Sequence, residues 1–195
     1  MKRIFDFLFA FFFLIILSPV LLLFAMAVVL DSKGGAFFGQ IRVGKDGKHF
    51  KLWKFRTMRP DSESAGQITV GARDSRITRV GYYLRKYKMD ELPQLWNVLI
   101  GDMSVVGPRP EVPKYVALYT PEQMRVLSVR PGITDYASLE YFEESELLAK
   151  SSDPHKTYVE EIMQKKLALN LQYIESHSFI GDLKIIFKTA VRIIS

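Results

Sequence analysis

The chain has 195 residues, a net charge of +6 and no cysteine. Disulfides, thiolate metal sites and cysteine nucleophiles are thereby excluded, and beyond a hydrophobic start the remaining length suits one domain. The positive charge is not gathered in a tail, so anionic membrane, nucleic acid and phosphorylated substrates all stay open on composition alone.

Lys2 and Arg3 precede an uncharged run from Phe7 to Leu30, long enough to cross a bilayer. The run exceeds the apolar core of a signal peptide and no small-residue cleavage site follows it, which disfavours a cleaved leader. Ser18-Pro19 falls mid-run. Proline removes a backbone donor and clashes with the preceding turn, so a kink or break is expected there, with the Ser18 hydroxyl meeting freed backbone groups. Lys2 and Arg3 flank one end, while Lys33, Arg42, Lys45 and further bases through Arg56 follow the other. Both flanks carry the mark of a cytoplasmic side. A helix that turns at Ser18-Pro19 and leaves by the face it entered satisfies this better than a spanning helix with a tolerated proline. The expected organisation is a re-entrant membrane helix over 1–32 and one cytoplasmic domain over 33–195.

Phe37 to Val43 and His49 to Phe55 read as a hairpin turned at Lys45-Asp46-Gly47. Asp61 to Gly71 is polar and aperiodic, hence a loop. From Asp74, the residues Ile77, Val80, Leu84 and Tyr87 recur at helical spacing, with Asp74 or Ser75 as the cap. That helix brings Arg85 and Lys88 towards Asp90-Glu91-Leu92-Pro93, which itself reads as a helix start ended by Gly101. After Pro110 come a helix around Val112 to Leu127, a turn at Arg130-Pro131-Gly132 and a longer helix from about Thr157 to Ile174, their apolar positions forming core. Glu140, Glu143, Glu144 and Glu146 lack metal-ligand spacing and read as a solvated patch. Leu183 to Ile194 is amphipathic and suits either the membrane interface or packing on the domain. The fold class is α+β, mainly helical, with a small β-hairpin.

Taken alone, Asp90-Glu91 is best read as a capped helix with solvated acids. A phosphoanhydride substrate changes the chemistry. A carboxylate is ionised at neutral pH and attacks phosphorus without a general base, provided that positive charge offsets the meeting of anions. Arg85, Lys86, Lys88 and Arg109 are at hand, and a divalent cation on Glu91 would add to them, since magnesium needs few protein carboxylates when phosphates and water complete its shell.

Several blocks occur in order: Lys2-Arg3-x-x-Asp6, Ser18-Pro19, Lys54-Phe55-Arg56-Thr57-Met58, Leu84-Arg85-Lys86, Asp90-Glu91-Leu92-Pro93-Gln94-Leu95-x-Asn97-Val98, Gly101-Asp102-Met103-Ser104, Gly107-Pro108-Arg109-Pro110 and Arg130-Pro131-Gly132-Ile133-Thr134. Together they cover most of the chain, which resembles the bacterial sugar transferases, the monotopic phosphoglycosyl transferases, in their small, catalytic-domain-only form. The resemblance implies transfer of a sugar 1-phosphate from a UDP-sugar to polyprenyl phosphate at the cytoplasmic face of the bacterial inner membrane. It implies a covalent phosphosugar on Asp90, Mg2+ held with help from Glu91, and a helix broken at Ser18-Pro19. Lys54, Arg85 and Arg109 match motif positions and are the expected phosphate or nucleotide contacts. Membrane lipids are expected partners and nucleic acid is not, because no recognition motif accompanies the bases. One departure stands out: Asp135-Tyr136 follows Thr134 where many members have Gly-Trp, and this points to a different sugar. A catalytically silent scaffold of a glycan assembly complex is the rival reading, and it has no use for Asp90 and Glu91.

Overall fold

Helix α1 (Lys2–Asp31) is long and apolar enough to cross a membrane. In this computed structural model, residues 1–60, 62, 68–71 and 74–194 are described. The loop expected between Asp61 and Gly71 lies largely outside them. At Ser18-Pro19, where the sequence leads one to expect a kink or break, α1 is a single element running through Pro19. Proline leaves the carbonyl four residues back without its N–H partner, and the Ser18 hydroxyl donates to that Ile15 carbonyl at 2.8 Å. The helix keeps one narrow stripe against the domain, including Asp6, Ala10, Leu14, Leu17, Leu21 and Val28, at helical spacing. Its opposite face is exposed and apolar, with Phe12, Ile16 and Leu23 among the residues on it.

Both ends of α1 are tied down. The Asp6 carboxylate accepts from the Ser104 hydroxyl at 2.9 Å and from Val105 N at 3.0 Å, while Arg3 donates to the carbonyls of Val98 and Leu99. At the far end Asp31 accepts from Val80 N at 2.9 Å, and Arg56 donates to the carbonyls of Ser32 and Lys33. Arg56, one of the bases that follow the apolar run, thus serves to close the end of α1.

Strands β1 (Phe37–Val43) and β2 (His49–Phe55) form the expected antiparallel hairpin, in register from Phe37 opposite Phe55 to Val43 opposite His49. Asp46, at φ 57°, and Gly47, at φ 74°, supply its left-handed turn. Helix α2 (Arg79–Lys86) starts later than its periodicity suggests. Ile77 is spent on a β-bridge to Met58 and Asp74 is engaged by Arg76, so Thr78 becomes the cap, accepting from Gly81 N at 3.0 Å. Helix α3 (Gln94–Ile100) ends at Gly101, whose φ of 100° suits glycine.

The buried Asn97 joins α3 to β2: its amide donates to the Lys51 carbonyl at 2.8 Å and accepts from Trp53 N at 3.1 Å. Two short parallel strands, β3 (Ser104–Val106) and β4 (Gly132–Thr134), come next. The helix expected from Val112 to Leu127 is only α4 (Pro113–Val116), followed by a 3-10 segment over Gln123–Ser128. Pro121 disfavours helical geometry at Thr120, and Thr120 and Gln123 instead bond each other's backbone and side chain.

The remainder is helical: α5 (Tyr136–Glu140), α6 (Glu144–Ala149), α7 (Pro154–Thr157), a π-helical turn at Tyr158–Ile162, α8 (Met163–Ser176) and α9 (Phe179–Ile194). One core joins α1, β2, α3, β3, α8 and α9 through residues such as Ala10, Leu52, Val98, Met103, Tyr173 and Ile185. A second unites α4, α6 and α8 around Tyr115, Leu148, Tyr158 and Leu167. The C-terminal helix α9 packs on the domain through the fully buried Ile185, while Ile180, Phe187 and Val191 are exposed.

Candidate active site

Lys88 adopts the left-handed region at φ 54° and reverses the chain after α2. The next residues, Met89–Glu91, form a 3-10 turn rather than the expected opening of an α-helix, because α3 begins only after Pro93. This turn separates the two acids. Asp90 is only 5% exposed and lines a cavity of 930 Å3, and among the described residues no hydrogen bond reaches its carboxylate. Glu91 is engaged by cations on both oxygens. Its Oε1 accepts from Lys54 Nζ at 2.9 Å and from Arg109 Nη2, and its Oε2 accepts from Arg109 Nη1 at 3.1 Å.

The electrostatics arise from this contrast. Burial pushes the Asp90 carboxyl above the usual carboxylate range, only partly offset by the charges of Lys54, Arg85 and Lys88. Burial acts on Glu91 in the same direction, but Arg109 and Lys54 outweigh it and hold the group well below that range. Burial lowers Lys54 and Lys88, with Glu91 opposing the effect in each. Arg109 is raised, chiefly by Glu91. Glu91 is therefore a fixed anion that gathers bases, whereas Asp90 is the carboxylate left facing the cavity.

Lys54, Glu91 and Arg109 come together from β2, the 3-10 turn and the Gly-Pro-Arg-Pro turn. Arg85 lines the same cavity and acts on Asp90 by charge. Lys86 points elsewhere, lying over the Tyr87 ring at 5.3 Å.

Two motifs far apart in sequence meet as backbone. A Cβ on Gly132 would lie 2.1 Å from Gly107 N, and one on Gly107 would lie 2.5 Å from the Arg130 carbonyl. Only glycine at both positions permits this approach. Asp135, fully buried, then secures the chain on either side of the contact: its carboxylate caps α5 through Ser138 N at 2.6 Å and accepts from Arg109 N at 3.1 Å. Asp135, where the sequence departs from the expected motif, therefore fixes the backbone of Arg109.

Arg42, Glu111 and Tyr158 were not expected here. Arg42 donates to the Pro110 carbonyl at 2.9 Å and to Glu111 at 3.2 Å, and the Tyr158 hydroxyl donates to the other Glu111 oxygen. These bonds brace the end of the Gly-Pro-Arg-Pro turn. Tyr158 reaches Glu111 from the π-helical turn, a distortion common at functional sites and invisible to a search for helical periodicity. Glu144, assigned to the solvated patch, bonds Lys166 at 2.6 Å beside the same cavity.

Among the described residues no three His, Cys, Asp or Glu side chains cluster as a metal cage. Magnesium requires less, one or two carboxylates with water and substrate phosphates completing six positions. A carboxylate offers about four lone pairs. Glu91 uses both on Oε1 and one on Oε2, which leaves Oε2 with a lone pair for a cation.

The family model described as bacterial sugar transferase matches residues 1–195. The UDP-glucose:undecaprenyl-phosphate glucose-1-phosphate transferase of Klebsiella pneumoniae is 40% identical over 98% of this chain, which spans only 39% of that relative's length. The uncharacterized sugar transferase EpsL of Bacillus subtilis is 39% identical, with 100% of this chain and 87% of the relative covered. The exopolysaccharide production protein PSS of Rhizobium leguminosarum is 38% identical, with 98% and 94% covered. The ordered motifs, the acidic pair among bases and the match over the whole length place the chain in one family: it belongs to the bacterial sugar transferases.

Proposed function

We propose that this protein transfers a sugar 1-phosphate from a UDP-sugar to polyprenyl phosphate through a phosphosugar carried on Asp90, and so initiates a membrane-linked glycan. The observation that carries the reading is the unequal state of the two acids: Glu91 is ion-paired on both oxygens, while the Asp90 carboxylate faces the cavity without a hydrogen bond. A scaffold has no need of an unpaired carboxylate buried among cations.

In the first step an Asp90 oxygen attacks the sugar-bearing phosphorus. The P–O bond to the other phosphate breaks, and UMP leaves with the bonding electrons. In the second, an oxygen of polyprenyl phosphate attacks the same phosphorus, the acyl phosphate bond breaks, and the Asp90 carboxylate is regenerated. Neither attack requires proton removal, because both nucleophiles are anions. The demand is for positive charge in a poorly solvated site, which Lys54, Arg85, Lys88 and Arg109 meet from the cavity wall. Magnesium, held with help from Glu91, would neutralise further charge on the diphosphate.

We also infer that α1 enters and leaves the membrane on one face, with the catalytic domain in the cytoplasm. Both of its ends bond the same domain, and its stripe touches that domain between them. Anchors on opposite sides of a bilayer do not permit this. The substrates named for the Klebsiella relative support the donor and acceptor classes.

The test is UMP release from a panel of UDP-sugars with polyprenyl phosphate, with mass spectrometry of the enzyme stopped before acceptor is added. Wild type should carry one phosphosugar, and Asp90→Asn should carry none and release no UMP. Normal turnover by Asp90→Asn would overturn the mechanism. Added chelator should slow both half-reactions if magnesium takes part.

A further inference from the structure

We propose that the apolar limb of the cavity, between α1 and α9, receives the first isoprene units of the acceptor lipid. This rests on the reading above and assigns the part of the site that the nucleotide sugar does not explain. At 930 Å3 the cavity is near the upper end of the range of about 300–1,000 Å3 for a single small-molecule site. Its lining is divided. Lys54, Arg85, Lys88 and Arg109 line the cavity with Asp90, whereas Phe9, Phe13 and Leu17 of α1 and Ile186, Ala190 and Ile193 of α9 add a mainly apolar wall, in which Thr189 is the polar residue from α9. A charged head joined to a hydrocarbon chain is the ligand that matches both parts of one cavity.

The two helices that build this wall also carry the exposed apolar faces. They touch at their first turns, where the Phe5 and Phe179 rings stand edge to face at 5.3 Å and Lys2 pairs with Asp182. Further along, both line the cavity. A lipid held in the bilayer around these faces can enter the limb without bringing its chain through water.

The limb is tied to the phosphate end by a short chain of bonds. The Thr189 and Thr134 hydroxyls bond at 2.6 Å, and the next residue, Asp135, holds Arg109 N. Arg192 of α9 and Lys88 lie 5.3 and 4.8 Å from the Phe142 ring centroid. The end of α9 is thereby set one aromatic ring away from a base of the reaction centre, as a phosphate joined directly to its hydrocarbon chain requires.

Ala190 is exposed on α9 and lines the limb, so a large side chain there fills space without displacing core. The protein in lipid nanodiscs is assayed as wild type, Ala190→Trp and Ile193→Trp, with undecaprenyl phosphate and with geranyl phosphate, which has only two isoprene units. The expected result is a rise of about tenfold or more in KM for both acceptors, while acceptor-free formation of the phosphosugar adduct stays within about twofold of wild type. Unchanged acceptor KM in both variants would overturn the inference. So would a loss confined to undecaprenyl phosphate, which marks α9 as a membrane anchor only, or an equal loss of adduct formation in both variants. Failure of the wild type to form an adduct with any UDP-sugar would instead sink the catalytic reading on which the inference stands.

Discussion

Asp90 and Glu91 are adjacent acids, yet neutralising each should have opposite consequences for stability. Glu91→Gln removes the anion from three hydrogen bonds and turns an amide towards two cations. The side chains of Lys54, Glu91 and Arg109 are only 19%, 13% and 30% exposed, so the cations left behind are poorly hydrated. Breaking a buried pair costs about 3–5 kcal/mol, and the partial exposure of Arg109 argues for about 3 kcal/mol. At about 2–4 °C per kcal/mol for a chain of this size, Tm should fall by roughly 6–12 °C. Asp90→Asn removes a charge that burial disfavours and breaks no hydrogen bond, so its Tm should match or exceed that of wild type although activity is abolished. Thermal unfolding in lipid nanodiscs, followed by tryptophan fluorescence, measures both. An unchanged Tm for Glu91→Gln, or an equal fall for Asp90→Asn, would refute the division between a structural anion and a free nucleophile.

Further outcomes are expected at the same site and its supports. In the proposed mechanism Asp90 attacks as its carboxylate, and burial raises its pKa, so the acid limb of kcat/KM should lie above the ordinary carboxylate value of about 4, with activity lost as pH falls through the raised value. Glu91 is depressed, so its contribution to stability should be present above that ordinary value and lost as pH falls towards its folded pKa, as acid titration of Tm would show. Tyr158→Phe should cost about 1.5–3 kcal/mol by losing a bond to the Glu111 carboxylate and should lower kcat/KM for the UDP-sugar through the Arg109 turn; wild-type kinetics would remove Tyr158 from the site. Gly132→Ala should destabilise by about 1–3 kcal/mol and lower activity, whereas Gly35→Ala, with its nearest atom 4.0 Å away, should do neither.

How legible each part was in the sequence depended on the range of the interactions that make it. The hairpin was readable to the residue, because its apolar segments flank an Asp-Gly turn and pair with each other. Helix α1 was readable from hydrophobicity, and its response at Pro19 only in part: the Ser18 hydroxyl meets the freed carbonyl, but the helix continues. Strands β3 and β4 have three residues each and show no periodicity. They exist because two glycine backbones 25 positions apart in sequence touch (132 − 107). The acidic pair gained meaning only from the order of the surrounding motifs. Its inequality could not be read locally, because the cations on Glu91 come from β2 and from the turn after β3.

The π-helical turn at Tyr158–Ile162 makes the bracing of the arginine turn depend on chain length as well as on residue identity. Such a turn holds one residue more than regular winding would, and successive residues of an α-helix are set about 100° apart. Deleting Val159 alone would restore regular winding. Tyr158 would swing by about that angle around the axis of α8, away from Glu111. Every other side chain of the candidate site would remain in the sequence, so the residue count of this helix is itself part of what holds the arginine turn.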